Sequence, residues 1–153
     1  MIRLKQRLPM KLIATIFFLT MSVFNAPSDT ADNILGDWWT EGKKAKVRIY
    51  KEDDRYSGEI IWLKASADND HIIRDSNNEI ESLKDRPLIG IDLIEGFTFK
   101  APQWVGGKVY DPEKGKSYDC ILKLDGNQLE VRGYMKMPLF GKSVFWKRVN
   151  ETE

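Results

Sequence analysis

The chain contains one histidine and one cysteine, which are the first side chains to weigh for catalysis. His71 lies in a polar stretch beside Asp70 and near Asp75, where a general base would need a positioned partner and a pocket. A histidine in such a stretch is more often a solvated loop residue. Cys120 falls on the apolar face of an alternating segment, so we expect a small buried side chain rather than a reactive thiol. One thiol and one imidazole exclude an internal disulfide framework, a cysteine zinc cage and a two-histidine site.

The carboxylates between residues 68 and 79 only partly resemble a calcium loop. An EF-hand that began at Asp68 would need glycine at its sixth position, where Ile73 stands, although Glu79 falls at the twelfth. Acids are abundant, but no pair stands out for glycoside hydrolysis. No G-x-S-x-G, P-loop or G-x-G-x-x-G motif occurs. We therefore predict no catalytic residue, no metal site and no cofactor, and keep a hydrolase that uses His71 and loop acids as a third hypothesis.

Aromatic side chains are more informative, because all five tryptophans and all five tyrosines lie beyond residue 28. Alternation places Trp62, Tyr118 and Trp146 on inward faces, and Trp62 shares the face of Ile60. These rings either fill the interior of a small barrel or line a cavity that holds one small ligand. An inward Arg148 would need a ring face, backbone carbonyls or an acidic ligand group as its partner. We predict Trp62, Tyr118 and Trp146 as ligand-binding residues.

The N-terminal segment has the pattern of an export signal. Residues 1–11 carry four basic residues and no acid, and an apolar run follows over residues 12–24. This run is too short to span a hydrocarbon core of about 30 Å comfortably, but it suits a signal peptide. Ala26-Pro27-Ser28 offers a cleavage pattern, so we predict a cleaved signal over residues 1–28 and one domain over residues 29–153. An uncleaved N-terminal anchor is the alternative.

Cleavage would change the formal net charge of the chain from +1 to −3, because it removes four basic residues and no acid. A net acidic domain lacks the basic footprint of a phosphate-backbone binder. We therefore predict a periplasmic or secreted protein that is not an integral membrane protein and has no nucleic-acid partner.

The elements that would position these side chains are short strands separated by turns. Period-two alternation or β-branched runs occur over residues 45–51, 56–63, 117–124, 128–134 and 143–149. Gly106-Gly107 predicts a bulge within a strand over residues 104–110. Seven or eight strands spaced 8–14 residues apart, with no long helical run, predict an antiparallel meander closed into a barrel or a sandwich.

Residues 64–86 are polar and do not fit the strand pattern. A stretch this long inside a compact domain is usually a functional lid or a mobile excursion. Polar loops on a rigid frame are a usual place for binding. A second hypothesis is therefore an envelope protein-interaction or stress module that acts through its surface and this 64–86 loop.

Two sets of residues carry a resemblance to known proteins. Gly36-Asp37-Trp38 on the first strand, together with Arg148 on the last, resembles the calycin (lipocalin-type) signature. In that superfamily the tryptophan of G-x-W closes one barrel end, and a basic residue of the last strand packs across it and bonds nearby carbonyls. The resemblance implies that Trp38 and Arg148 form a structural end-plug.

The C-terminal half resembles DUF2147, a family of exported bacterial proteins. The pattern W-x-G-G-x-x-Y-D-P-x-x-G-x-x-Y runs over residues 104–118, V-x-G-Y over 131–134, and F-G-x-x-x-x-W-x-R over 140–148. The resemblance covers about residues 34–149. Related chains carry an Asn-Pro-Asp-like stretch where this chain has Asn69-Asp70-His71, so a loop-based role does not transfer.

This resemblance implies a lipocalin-like fold and brings no established activity. We therefore predict an all-β, antiparallel up-and-down barrel of about eight strands. The protein is expected to be an exported, non-enzymatic carrier or sensor that holds a small apolar or amphipathic ligand inside the barrel.

Overall fold

The computed structural model describes residues 30–69 and 71–150 and is built from eight antiparallel strands. The predicted signal peptide over residues 1–28 lies outside the described residues. The strands are β1 (Gly36–Trp39), β2 (Ala45–Glu52), β3 (Arg55–Leu63), β4 (Asp92–Lys100), β5 (Gln103–Asp111), β6 (Lys116–Asp125), β7 (Gln128–Tyr134) and β8 (Lys142–Arg148). A short helix, α1 (Lys64–Asn69), follows β3, and the 3₁₀ turns are Ala31–Ile34, Glu41–Lys43, Glu81–Leu83 and Pro138–Phe140.

Each strand pairs with the next along the chain, and β1 also pairs with β8, so the sheet closes into a barrel. The predicted all-β up-and-down barrel is therefore confirmed. Closure removes the unpaired edges that an open sheet would expose. Because the strands alternate in direction, the β1–β2, β3–β4, β5–β6 and β7–β8 connections lie together at what we call the open end. The other three turns and the N-terminal turn lie at the closed end.

Alternation along the strands builds the core. In β2 the buried side chains are Ala45, Val47 and Ile49, and the intervening residues are half-buried or exposed. The same period in β6 buries Cys120 and Leu122. Branched and small apolar residues suit such a pleated inner face. Within the described residues, no helix has the length and apolarity needed to cross a membrane.

The predicted bulge in β5 is confirmed. Trp104 pairs with Leu122 and Gly107 pairs with Cys120, so β5 has one extra residue between these pairs. Gly106 has φ +79°, a backbone conformation that favours glycine, and a Cβ on Gly107 would lie 2.4 Å from the Phe97 ring. The two glycines therefore allow β5 to bend closely over a core phenylalanine.

A second bulge, in β3, overturns the predicted orientation of Trp62. Lys46 pairs with Trp62 whereas Val47 pairs with Ile60, so Ile61 is an extra residue in β3. One extra residue moves the following side chain to the opposite face. Trp62 therefore does not share the inward face of Ile60. Its ring packs edge-on against Trp39 with the centroids 5.3 Å apart, and the Lys46 Nζ lies 4.4 Å from the Trp39 centroid.

The β3–β4 connection is attached to the barrel wall through a buried carboxylate. Asp75 is fully buried and accepts hydrogen bonds from the Tyr110 hydroxyl at 2.5 Å and from Asn78 Nδ2 at 2.8 Å. Arg86 Nη2 lies 2.8 Å from Asp75 Oδ2, so the negative charge of the buried carboxylate also has a positively charged partner. Burial raises the pKa of Tyr110 to about 12, and its hydrogen bond to Asp75 acts in the same direction.

The β5–β6 turn supports the same connection from the other side. Gly115 has φ +68°, and a Cβ there would lie 1.7 Å from the Asn77 carbonyl oxygen. Asn77 Nδ2 donates to the carbonyls of Pro112 and Glu113 at 3.2 and 3.1 Å. The polar residues that suggested a lid are therefore partly structural, because several of them bond the connection to β5 and to this turn.

Candidate functional site

The closed end is sealed by the N-terminal 3₁₀ turn Ala31–Ile34, which we call the strap. Trp38 Nε1 donates to the Ile34 carbonyl at 2.9 Å, and Trp104 Nε1 donates to the Ala31 carbonyl at 3.1 Å. Both indole rings are fully buried. A buried indole N–H needs an acceptor, and the strap supplies one for each ring. The barrel floor is thus filled by side chains that also fix the strap.

Arg148 lies across this floor. Its guanidinium carbon is 4.2 Å from the Trp38 ring centroid, within the range of a cation–π contact. Nη1 donates to the Leu35 carbonyl at 2.9 Å, and Nη2 donates to the Asn33 carbonyl. Burial lowers the pKa of the Arg148 guanidinium. The structure thus places Trp38 and Arg148, the two residues predicted as an end-plug, in contact at the closed end.

The outer side of the strap is held by a carboxylate. Asp32 Oδ1 accepts a hydrogen bond from the Tyr56 hydroxyl at 2.6 Å and lies 3.1 Å from Lys51 Nζ. The Tyr56 hydrogen bond and then the Lys51 hydrogen bond lower the pKa of Asp32 below its usual value. Because the Tyr56 ring is buried in the barrel, this contact ties the strap to β3.

Above the floor, the barrel holds a cavity of about 1020 Å³ that reaches the open end. Its walls are mainly apolar: Val109 and Val144 are half-buried, whereas Ile60, Leu93, Val131 and Trp146 also border the cavity but are almost fully covered by neighbouring side chains. Ala45 and Gly133 also line it, and these small residues leave the space that larger inward side chains would fill. The volume is at the upper end of that of small-molecule sites, about 300–1,000 Å³.

Charged side chains form the rim of the cavity. The lysines are Lys44, Lys64, Lys114 and Lys142, and the acids are Glu41, Asp111 and Glu113. An exposed ion pair of 3.3 Å between Lys44 Nζ and Glu113 Oε1 joins the β1–β2 and β5–β6 connections. An apolar interior below a charged rim suits a molecule with an apolar body and a polar end.

The structure brings together two of the three predicted ligand-binding residues. Tyr118 and Trp146 line the cavity, with Tyr118 near the mouth, where Lys114 Nζ lies 5.7 Å from its ring centroid. Trp62 is not among the lining residues, because the β3 bulge turns it to the outer wall. The lysine rim was not predicted from the sequence. It could have been found from the recurrence of a lysine in or next to every second connection between strands, since these connections lie at the same end of an up-and-down barrel.

The candidates for acid–base or thiol chemistry lie apart from this cavity. His71 is exposed, and neither His71 nor Cys120 is among the cavity residues. Burial raises the pKa of Cys120 to about 12, which agrees with the expected buried, unreactive side chain. The Asp75 carboxylate accepts hydrogen bonds from Arg86 and Tyr110 and holds the β3–β4 connection to the barrel wall. Among the residues that the structure describes, no three His, Cys, Asp or Glu side chains could hold a metal ion.

A closed eight-stranded barrel with a filled floor and an open apolar cavity defines a lipocalin-like fold. A similar solved structure is titled "Protein HP1028 from the human pathogen Helicobacter pylori belongs to the lipocalin family". The match has a TM-score of 0.67 and 22% sequence identity and covers 77% of this chain and 84% of that chain. At this identity the likeness concerns the fold.

The family is also defined. The family model described as "Uncharacterized protein conserved in bacteria (DUF2147)" matches residues 36–148 of this chain. The chain belongs to this family, which confirms the motif resemblance. No curated protein sequence matches the chain.

Proposed function

We propose that this protein is an exported binding protein that holds one small apolar or amphipathic ligand in the barrel cavity. The observation that supports the proposal is the apolar cavity of about 1020 Å³, open at one end above a floor filled by side chains. A barrel that only needed a core would fill this space. A ligand that displaces water from such walls gains about 25 cal/mol per Å² of buried apolar surface.

The charged rim favours an amphipathic ligand over a purely apolar one. The apolar body of the ligand would lie against Val131, Val144 and Trp146, and its polar end would reach Tyr118 and the rim lysines. The proposed role is binding rather than catalysis, because the titratable lining groups are at the mouth and the deep walls are apolar. Export to the periplasm or beyond is part of the proposal and rests on the basic and apolar pattern of residues 1–28.

Native mass spectrometry tests the proposal. The purified protein is incubated with a bacterial lipid extract, separated from unbound lipid and sprayed under non-denaturing conditions. We expect a discrete mass increment that corresponds to one bound small molecule. A side-chain-filled protein would retain none.

A matched pair of variants locates the bound molecule. Val144→Phe adds bulk inside the cavity, whereas Val105→Phe adds the same bulk at a half-buried position that does not line it. Val144→Phe should reduce the bound fraction strongly, and Val105→Phe should retain it. Absence of any retained molecule, or equal retention by both folded variants, would contradict the proposal.

A further inference from the structure

The β7–β8 connection exposes an unusual number of apolar side chains at the open end. Met135, Met137, Leu139 and Phe140 are 70, 54, 75 and 78% exposed. Scattered surface apolar residues are ordinary, but four large ones within six positions form a patch. Such patches mark interaction sites.

Hydrogen bonds fix this loop in the exposed position. Arg132 on β7 donates from Nε to the Pro138 carbonyl at 3.0 Å and from Nη2 to the Leu139 carbonyl at 3.4 Å. The Phe140 amide donates to the Met137 carbonyl at 3.2 Å, which closes the 3₁₀ turn. The backbone of the loop is thus bonded to β7 and to itself, while its four large apolar side chains are exposed.

The loop borders the mouth of the cavity. Gly133 precedes it on β7 and Lys142 follows it on β8, and both residues line the cavity. In the circular order of the barrel, the β7–β8 connection lies opposite the acid-rich β3–β4 connection and between the β1–β2 and β5–β6 connections. A surface that received this loop would therefore face the cavity entrance.

The charges around the loop indicate the kind of surface. Residues 135–142 contain two lysines and no acid. Of the two neighbouring connections, residues 41–44 contain two lysines and one glutamate, and residues 112–115 contain one lysine and one glutamate, with Lys44 and Glu113 forming an ion pair. Apolar side chains flanked by lysines suit the interface of a bilayer that contains anionic lipids. A two-fold contact between copies through this patch would bring its own lysines together, which disfavours a second copy as the occupant.

We propose that the β7–β8 loop docks the open end of the barrel on an anionic phospholipid bilayer, with Leu139 and Phe140 inserted among the headgroups. Docking would let the cavity exchange its ligand with the membrane without passage of that ligand through water. The exchange step rests on the proposed binding function, whereas docking itself does not.

Vesicle sedimentation of the purified protein tests docking. The vesicles contain phosphatidylcholine and phosphatidylglycerol in about equal parts, and phosphatidylcholine vesicles serve as the uncharged comparison. The double variant Leu139→Ser/Phe140→Ser should lower the partition coefficient on the order of tenfold or more. The matched control Ile72→Ser/Ile80→Ser removes two exposed apolar side chains from the β3–β4 connection and should change it less than about twofold. Thermal melts verify that both variants are folded.

Three results would overturn docking: no binding of the unaltered protein to anionic vesicles, equal binding by both folded double variants, or a dimer in sedimentation velocity that only Leu139→Ser/Phe140→Ser dissolves. The last result would assign the patch to a second copy. Binding of a fluorescent naphthylamine dye to the cavity, measured in the absence of vesicles, distinguishes a failure of docking from a failure of the proposed binding function. If the dye does not bind but the loop variant still loses vesicle binding, docking stands and ligand binding fails. If the dye binds but the loop variant binds vesicles as well as the unaltered protein does, ligand binding stands and docking fails.

Discussion

Replacement of Arg148 by alanine should destabilise the barrel through its closed end. The guanidinium joins β8 to the Asn33 carbonyl of the strap and to the Leu35 carbonyl that follows the strap, and it covers the buried Trp38 ring. Alanine would remove both hydrogen bonds and leave the two carbonyls and one face of the indole without this partner. The cavity should keep its shape in this variant, because Arg148 is not among its lining residues.

The expected size of the effect follows from these contacts. Each hydrogen bond from a charged donor contributes roughly 1.5–3 kcal/mol, and the cation–π contact contributes about 0.5–2 kcal/mol. Two effects make the net loss of stability smaller than the sum of these contributions. The variant no longer has to desolvate a guanidinium on folding, and water can hydrogen-bond to the freed carbonyls because the Arg148 position is only half-buried. We expect a loss of about 2–4 kcal/mol in the free energy of unfolding, or on the order of 10 °C in Tm.

Urea unfolding followed by circular dichroism and by tryptophan fluorescence measures this loss. Arg148→Lys should recover only part of the stability, because an ammonium cannot reproduce the planar two-carbonyl fork. Arg48→Ala is the matched control, since Arg48 forms an exposed ion pair of 2.8 Å with Asp37 on the outside of the same region. The pair is bidentate, with Arg48 Nη2 also 2.9 Å from Asp37 Oδ2, but it lies on the outer surface, where an ion pair contributes about 0.2–1 kcal/mol. This control should therefore change stability less than Arg148→Ala.

Two results would refute the assignment of Arg148 to the end-plug. One is an Arg148→Ala variant no less stable than the Arg48→Ala control. The other is an unchanged Tm combined with lost binding of an acidic ligand, which would make Arg148 a pocket residue. With the fold intact, the end-plug assignment predicts that ligand affinity stays nearly unchanged.

Three further predictions concern other parts of the fold. Asp75→Ala removes a fully buried carboxylate and leaves Arg86 without its counter-charge. The free energy of unfolding in urea should fall by about 3 kcal/mol, and proteolysis within residues 71–91 should become faster. The Tyr56 hydrogen bond lowers the pKa of Asp32 below 3.8, so the ionised carboxylate stabilises the fold above about pH 4. This stabilisation is lost as the pH falls through the lowered pKa. The decrease in the free energy of unfolding between about pH 5 and 2 should therefore be smaller in Asp32→Asn than in the unaltered protein. The Cys120 thiol, with its pKa raised to about 12, should resist a disulfide reagent at about pH 8 and react on unfolding; rapid labelling of the folded protein would contradict its burial.

Side-chain periodicity made the barrel predictable, because alternation with period two follows directly from strand geometry. The β5 bulge was also predictable, since adjacent glycines mark a position where side chains do not fit. The β3 bulge at Ile61 was not, because an isoleucine there continues the apolar run and nothing local marks the extra residue. That one residue reversed the predicted orientation of Trp62.

Contacts between distant segments explain the other differences. Asp75 and Tyr110 lie 35 residues apart, and only the folded barrel shows that the acid anchors the polar connection. The strap has no hydrophobic period, since its role lies in backbone carbonyls that accept hydrogen bonds from Trp38, Trp104 and Arg148. The cavity volume depends on whether small inward-facing residues from several strands lie at the same level of the barrel. The alternation within each strand does not specify this.

Quenching of tryptophan fluorescence by a bromine-substituted fatty acid tests most directly whether the cavity binds an amphipathic ligand. Bromine quenches at short range, so a chain inside the barrel reaches Trp146 but not Trp62 on the outer wall. We predict saturable quenching with a stoichiometry of one, a large loss of the quenched signal in Trp146→Phe and its retention in the matched Trp62→Phe variant. Quenching that does not saturate, or that is reduced equally by the two variants, would contradict a ligand site inside the barrel.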